Sequence, residues 1–159
     1  MRSTTAACAA RSPRRSSGLR EAAQVYANLV QMGARLGYLD VGGGLGAWIS
    51  ALAAHAPGLD LKLFDLPPVA QLARARLMQA GLGARVQVHG GSFEHDALPT
   101  GADLITLLRV AHDHPDAVVR HLLASIHAAL PVGGTLVLAE PMADPDGAPA
   151  AGDAYYHFY

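Results

Sequence analysis

Cysteine, net charge and long apolar runs are all scarce in this sequence of 159 residues. Its single cysteine, Cys8, excludes a framework of internal disulfide bonds and is typical of a reducing, cytoplasmic compartment. The formal net charge of -1 gives no electrostatic attraction for nucleic acid, and no apolar run reaches the length of a membrane span. About half of the residues are apolar, so the chain can bury one core as a single domain.

Acidic residues are missing from the first twenty positions, which contain five arginines and many Ser, Thr and Ala residues. This stretch, 1–20, lacks the apolar core of a secretory signal. Its composition predicts a disordered tail, with a transit-like leader as the alternative. Residues 21–36 predict a connecting helix, because apolar side chains recur at helical spacing: Ala22, Val25, Leu29 and Met32. The folded domain is predicted over 37–159.

From Tyr38 onward, short apolar runs alternate with segments of helical periodicity. The predicted strands cover 38–41, 60–64, 85–89, 103–108 and 135–139, and the predicted helices cover 47–55, 69–80 and 115–130. Strands that are separated by helices pair in parallel, so the pattern predicts an α/β fold with a doubly wound parallel sheet. Ligands of such sheets bind beyond the carboxyl ends of the strands.

A glycine-rich loop follows the first predicted strand, in the sequence LDVGGGLG from Leu39 to Gly46. Gly42, Gly44 and Gly46 can adopt positive φ and let backbone N–H groups approach a ligand, and the next helix points its N-terminus into the same space. Asp65 ends the second predicted strand, where it could accept two hydrogen bonds from a ribose diol. This order of features predicts a nucleotide-type cofactor pocket; a glycine-rich turn without a ligand is the alternative.

Two cofactors compete for this pocket. Gly42, Gly44 and Ala47 satisfy the dinucleotide fingerprint, with Asp65 at a suitable distance, so the glycines alone allow a nicotinamide cofactor. Asp40 favours S-adenosylmethionine instead. A carboxylate just before the glycines would repel a pyrophosphate, whereas it would attract the ammonium and sulfonium groups of S-adenosylmethionine.

A histidine beside acidic residues forms the second candidate site. His112 follows the fourth predicted strand on a loop at the ligand-binding edge, where a neutral imidazole could take a proton from an acceptor hydroxyl. Glu140 ends the fifth predicted strand and is placed to hold that imidazole in one tautomer. In the alternative interpretation, Asp113 or Asp116 caps the next helix and His114 is solvated. A metal site is disfavoured, because adjacent residues rarely converge on one ion and no further ligand pair stands out.

Taken together, these motifs resemble the S-adenosylmethionine-dependent O-methyltransferases of the plant caffeate and bacterial hydroxyl-methylating type. The resemblance rests on LDVGGGLG, FDLP at 64–67, GGSF at 90–93, LLRVAHDHPD at 107–116 and GGTLVLAEP at 133–141. The terminal GDAYYHFY at 152–159 is similar to the carotenoid branch of that family. The fold that this resemblance implies is the Rossmann-like methyltransferase fold.

The resemblance also implies roles for individual residues. The glycine loop would hold the methionine end of the cofactor, Asp65 the ribose, and Ser92 with Phe93 the adenine; Leu66 and Arg109 are further candidate cofactor contacts. His112 would be the base and Glu140 the first of two acids that position it. This chain has Ser92 where the family usually has Asp, which puts the adenine contact in doubt. The second positioning acid would lie beyond Tyr159.

Relatives of this kind have two further strands and a helical dimerisation domain, so we expect this chain to be a C-terminally incomplete piece of a homodimeric enzyme. Strand 135–139 would then be an exposed apolar edge. The expected activity is methyl transfer to a hydroxyl of a small hydrophobic acceptor, such as a hydroxycarotenoid, for which peripheral membrane association is plausible. The alternatives are a truncated S-adenosylmethionine-binding module without catalysis and an NAD-dependent dehydrogenase.

Overall fold

A computed structural model of the chain describes residues 37–140. The predicted tail at 1–20, the predicted helix at 21–36 and the motif at 152–159 lie outside the described residues. The described strands are β1 (Gly37–Val41), β2 (Asp60–Asp65), β3 (Val86–Gly90), β4 (Leu104–Leu108) and β5 (Thr135–Ala139). The helices are α1 (Ala47–His55), α2 (Pro67–Gln79) and α3 (Asp116–Ala129), with a short 3-10 turn at Ala111–Asp113.

All strand pairs of the sheet are parallel, in the order β3-β2-β1-β4-β5. The predicted doubly wound parallel sheet is therefore confirmed. The chain moves outward from β1 to β3 and then returns to place β4 on the other side of β1. This reversal opens a crevice at the carboxyl ends of β1 and β4, where sheets of this type bind ligands. The glycine loop after β1 and the loop after β4 both begin at this crevice.

Each face of the sheet buries its own apolar cluster. Helices α1 and α2 cover one face, where Ile49 and Leu77 pack against Leu61 and Leu63. Helix α3 covers the other face, where Leu122 and Ile126 pack against residues such as Ile105. All five residues of β1 are buried, as expected for a central parallel strand with both faces covered.

The boundaries of several elements differ from the predicted ones by one or two residues. Helix α2 begins at Pro67 rather than Val69, because proline is compatible with the first turn of a helix, where no N–H is needed for an internal bond. Strand β3 runs from Val86 through Gly90, one residue later at each end than predicted. Periodicity locates the centre of an element, whereas backbone hydrogen bonds decide its ends.

The sheet has β3 at one edge and β5 at the other. Strand β5 pairs with β4 along its whole length, and its side chains from 135 to 138 are half-buried. Among residues 37–140, no helix is both long enough and apolar enough to cross a membrane.

Candidate active site

The glycine loop after β1 takes its shape from three residues in the left-handed region. Gly42, Gly44 and Gly46 have φ values of 70°, 56° and 77°, which strain any residue with a Cβ. A Cβ on Gly42 would lie 2.5 Å from a methyl carbon of Val110, so glycine is also required there for the two loops to approach each other. A Cβ on Gly44 would meet nothing within 4 Å. The space above the middle of the loop is therefore open to a ligand.

Asp65 ties the glycine loop to the end of β2. Its Oδ2 accepts a hydrogen bond from the Gly44 N–H at 2.7 Å, and its Oδ1 accepts one from the Leu66 N–H at 2.8 Å. A carboxylate has about four acceptor positions, so two remain for a ligand diol. The Leu66 side chain is exposed beside it. The structure thus combines a fixed acid with an apolar surface next to the open loop.

Asp40 lies beneath the glycine loop, where its exposed fraction is only 2%. Its Oδ1 accepts a hydrogen bond from the Thr106 hydroxyl at 2.7 Å. Burial raises the pKa of Asp40 to about 7, the Thr106 hydrogen bond acts to lower it, and the charge of Asp65 raises it further. Because Asp40 lies beneath the glycine loop, its electrostatic attraction for a cationic ligand would act across the loop backbone.

The loop after β3 brings Ser92 and Phe93 toward the same edge of the sheet. The Ser92 N–H donates to Asp96 Oδ2 at 2.8 Å, so a carboxylate four residues away contacts the backbone at this position. Asp96 was absent from the predicted site, because an acid in an exposed loop gives no distinctive sequence signal. The Phe93 ring meets the His114 ring edge-on, with 5.1 Å between centroids.

His112 and Glu140 contact each other although 28 positions separate them. The distance from His112 Nδ1 to Glu140 Oε2 is 2.6 Å, and the exposed fractions of the two side chains are 14% and 4%. Glu140 Oε1 also accepts hydrogen bonds from the Val110 and Ala111 N–H groups, each at 2.8 Å. Because an ionised Glu140 only accepts, the Nδ1 of His112 carries the proton of that hydrogen bond. In the neutral ring Nε2 then has the lone pair, which the Asp113 carboxylate 3.1 Å away disfavours until Asp113 turns away.

The acids of the 3-10 turn and of α3 do not cap the helix. Asp113 Oδ1 lies 3.1 Å from His112 Nε2, and α3 has Pro115 at its N-cap position with no side-chain capping bond. The interpretation of Asp113 or Asp116 as a helix cap is therefore wrong. So is that of His114 as a solvated residue, because it is half-buried against Phe93.

Arg109 begins the loop after β4 with a φ of 57°, the only positive φ of a residue other than glycine between 37 and 140. Its N–H donates to the Ala139 carbonyl at 2.9 Å, which fixes the loop to the end of β5. Strained backbone of this kind is often found at functional sites. Its side chain is exposed. A metal site gains no support, because no group of three His, Cys, Asp or Glu residues in the described part of the chain could hold an ion.

Comparison with known proteins identifies the family. The model of the O-methyltransferase domain family matches residues 17–159. The chain belongs to this family. It is 48% identical to the demethylspheroidene O-methyltransferase of Cereibacter sphaeroides over 121 residues, which make up 76% of this chain and 32% of that protein. The chain thus spans about a third of the length of this curated relative.

Solved structures of O-methyltransferases share the fold. The mitomycin 7-O-methyltransferase MmcR superposes with a TM-score of 0.74 and 32% identity, covering 89% of this chain and 40% of that one. The O-methyltransferase NcsB1 superposes with a TM-score of 0.62 and 30% identity, covering 77% of this chain and 38% of that one. The NcsB1 structure contains S-adenosyl-L-homocysteine and 1,4-dihydroxy-2-naphthoic acid. The resemblance of this chain to O-methyltransferases is confirmed.

Replacing Glu140 with glutamine in this O-methyltransferase domain is expected to reverse the tautomer of His112. The glutamine oxygen can still accept from the two loop N–H groups, but its NH2 group then faces Nδ1 and requires an acceptor there. The proton moves to Nε2, and loss of the charged hydrogen bond lowers the free energy of unfolding by roughly 1–3 kcal/mol. Nitrogen-15 NMR of the His112 ring measures the tautomer. Glu94→Gln, at an exposed glutamate, is the matched control, and an unchanged tautomer in Glu140→Gln would refute this description.

Proposed function

We propose that this chain is the cofactor-binding and base-carrying part of an O-methyltransferase that uses S-adenosylmethionine. The observation that carries the proposal is the short contact between His112 Nδ1 and Glu140 Oε2, at the crevice that the glycine loop borders. An imidazole oriented by a buried carboxylate is suited to remove a proton from an acceptor hydroxyl. Membership in the O-methyltransferase domain family supports the same activity.

The residues around the glycine loop fit S-adenosylmethionine. The open space above Gly44 admits a ligand next to the loop, and Asp65 retains acceptor positions for the ribose. Phe93 offers an apolar ring for the adenine, and the buried Asp40 offers negative charge beneath the methionine end. The bound cofactor supplies an activated methyl group on a sulfonium. The S-adenosyl-L-homocysteine in the NcsB1 structure supports this assignment.

His112 would accept the proton that the acceptor hydroxyl loses in the reaction. The hydroxyl proton that must leave when the acceptor oxygen takes the methyl group from sulfur, with the thioether as leaving group, would pass to His112 Nε2, and Glu140 would stabilise the resulting imidazolium through Nδ1. An aliphatic hydroxyl is too weak an acid to ionise beforehand, so proton removal accompanies methyl transfer. Asp113 lies 3.1 Å from Nε2, in the position that an acceptor hydroxyl must reach. Its side chain is 59% exposed and has solvent to move into.

The acceptor that we propose is a small hydrophobic molecule with a hydroxyl group, and specifically a hydroxycarotenoid. The similarity to the demethylspheroidene enzyme of Cereibacter sphaeroides supports the carotenoid assignment. A polyene acceptor would reside in a membrane, so we propose a cytoplasmic protein that associates peripherally with the membrane surface. We also propose that the protein acts as a homodimer, as the resemblance to homodimeric relatives implies.

A second candidate function is a cofactor-binding module without catalysis. It is favoured because the glycine loop, Asp65 and Asp40, which are the proposed cofactor contacts, all lie within residues 37–140. A nicotinamide-dependent dehydrogenase is disfavoured, because the family model that matches the chain is that of O-methyltransferases.

Transfer of a labelled methyl group distinguishes the two candidates. The purified chain is incubated with methyl-labelled S-adenosylmethionine and, separately, with a hydroxycarotenoid in detergent micelles or a hydroxynaphthoate. Labelled methyl ether that requires both the chain and the acceptor would establish the transferase. Binding of the cofactor without any labelled ether would establish the module instead.

A further inference from the structure

A chain of three hydrogen bonds ends at the buried carboxylate of Asp40. The Trp48 indole Nε1–H donates to the Tyr38 hydroxyl at 2.7 Å, and the Tyr38 and Thr106 hydroxyls are 2.6 Å apart. The Thr106 hydroxyl then donates to Asp40 Oδ1 at 2.7 Å. The four residues come from α1, β1 and β4, so the chain connects three elements beneath the crevice.

The chemistry of the donors gives this chain one direction. The indole N–H can only donate, so the Tyr38 oxygen accepts there. The Thr106 hydroxyl has a single proton, which it gives to Asp40, so its oxygen accepts the proton of Tyr38. Every proton in the chain therefore points toward Asp40. Hydrogen bonds aligned in this way polarise one another and favour a negative charge at the accepting end.

The other surroundings of Asp40 oppose its ionisation. Burial disfavours the charged form, and Asp65 at the end of β2 repels it. On the loop side, a Cβ at Gly43 would lie 2.9 Å from Asp40 Oδ2, so the loop backbone closes over the carboxylate. On the β4 side stands Thr106, and on the α1 side stands Trp48, which acts through Tyr38. The hydroxyl chain is thus a favourable contact that offsets part of the effect of burial and Asp65 on the pKa of Asp40.

We propose that Thr106 and Tyr38 are positioning residues that favour the ionised form of Asp40 beneath the glycine loop, so that the site favours a sulfonium over a thioether. The inference rests on the proposed cofactor. S-adenosylmethionine and S-adenosylhomocysteine both carry an ammonium and a carboxylate, and they differ in charge at sulfur. A buried negative charge near the methionine end attracts the ammonium of both ligands, but it stabilises a positive sulfur only in S-adenosylmethionine. The reactant is thereby held more tightly than the product, which must leave after each turnover.

Trp48 supplies a readout that needs no ligand. It is the only tryptophan in the sequence, and its N–H begins the chain that ends at Asp40. Titration of Asp40 changes the polarisation of that N–H, so Trp48 fluorescence should follow it with a midpoint near pH 7. Because the Thr106 hydrogen bond lowers the pKa of Asp40, Thr106→Val should move the midpoint upward by about one to two pH units.

The test compares Thr106→Val, Tyr38→Phe and Thr106→Ser with the native chain and with Thr135→Val, a control at a half-buried threonine of β5. Calorimetry gives the affinities for S-adenosylmethionine and S-adenosylhomocysteine at pH 6 and pH 8. In the native chain, the preference for the sulfonium should rise about three- to tenfold between these pH values. Thr106→Val should lose most of this increase in preference, and Tyr38→Phe should lose part of it. Thr106→Ser keeps a hydroxyl at this position and should show the native increase.

The outcomes separate this inference from the proposed function. If both ligands bind but every variant keeps the native preference and fluorescence midpoint, the positioning role is wrong while cofactor binding stands. If the native chain binds neither ligand, the proposed cofactor is wrong and the inference falls with it. If Thr106→Val does not fold, Tyr38→Phe and Thr106→Ser decide the question by the same two measurements.

Discussion

Replacing His112 with alanine is expected to lower the rate of methyl transfer by roughly 10²–10⁴-fold, the range that a positioned general base contributes. The reason is geometric. His112 is held through Nδ1 by Glu140 at 2.6 Å, so its Nε2 is the atom that can act as the base once Asp113, 3.1 Å away, turns into solvent. Without the imidazole, no positioned base receives the proton of the acceptor, which must then pass to water. The rate is measured with labelled cofactor under saturating acceptor.

The affinity for the cofactor should change little in His112→Ala, because the contacts assigned to the cofactor lie on the glycine loop and at Asp65. His95→Ala is the matched control, since His95 is an exposed histidine in the neighbouring loop after β3. A variant that lacks His112 yet transfers methyl at the native rate would remove the histidine from the mechanism. Equal losses in His112→Ala and His95→Ala would point to general damage to the fold.

Replacing Asp40 with asparagine is expected to change how stability depends on pH. The pKa of Asp40 is about 7 in the folded chain, against an ordinary value of 3.8. Between these pH values the folded state keeps a proton that the unfolded state has lost, so stability falls as pH rises and levels off above about pH 7. A pKa difference of about 3 between the folded and unfolded states corresponds to a loss on the order of 4 kcal/mol. Asparagine keeps an oxygen acceptor for Thr106 and has no proton to lose.

Urea denaturation of the native chain and of Asp40→Asn between pH 4 and pH 8 measures this effect. As pH rises, the free energy of unfolding of the native chain should fall relative to that of Asp40→Asn. His89 has the opposite effect on the pH dependence of stability, because burial, Lys62 and Arg74 lower its pKa. Both proteins contain His89, so its effect cancels when the two free energies of unfolding are subtracted. Asp60→Asn, at an exposed aspartate, should show the same dependence of the free energy of unfolding on pH as the native chain. If Asp40→Asn also showed the native pH dependence, the claim that buried Asp40 keeps a proton in the folded state would be contradicted.

The sequence was sufficient to predict the order of strands and helices, because apolar periodicity reflects which face of an element is buried. It also led to the pairing of His112 with Glu140. The carboxyl ends of neighbouring parallel strands meet at one edge, so residues that follow β4 and β5 come together despite a sequence separation of 28.

Contacts that depend on strand register were beyond the reach of the sequence. Asp40 and Thr106 are direct partners in the β1–β4 ladder, and a shift of one residue would turn Thr106 to the opposite face. The hydroxyl chain beneath the glycine loop follows from that register. The edge contact of Phe93 with His114 and the approach of Asp113 to Nε2 depend on loop conformation, which no periodic pattern encodes.

Binding of S-adenosylmethionine to the purified chain tests the central claim most directly. Calorimetry is performed with S-adenosylmethionine and S-adenosylhomocysteine, with NAD as the control ligand, on the native chain, Asp65→Ala and Asp60→Ala. We predict micromolar binding of S-adenosylmethionine and S-adenosylhomocysteine and no binding of NAD. Asp65→Ala should abolish this binding, because Asp65 holds the Gly44 N–H and is the proposed ribose contact, and Asp60→Ala should retain it. A folded native chain that binds neither ligand, or that binds them equally well without Asp65, would contradict the assignment of this crevice as a cofactor site.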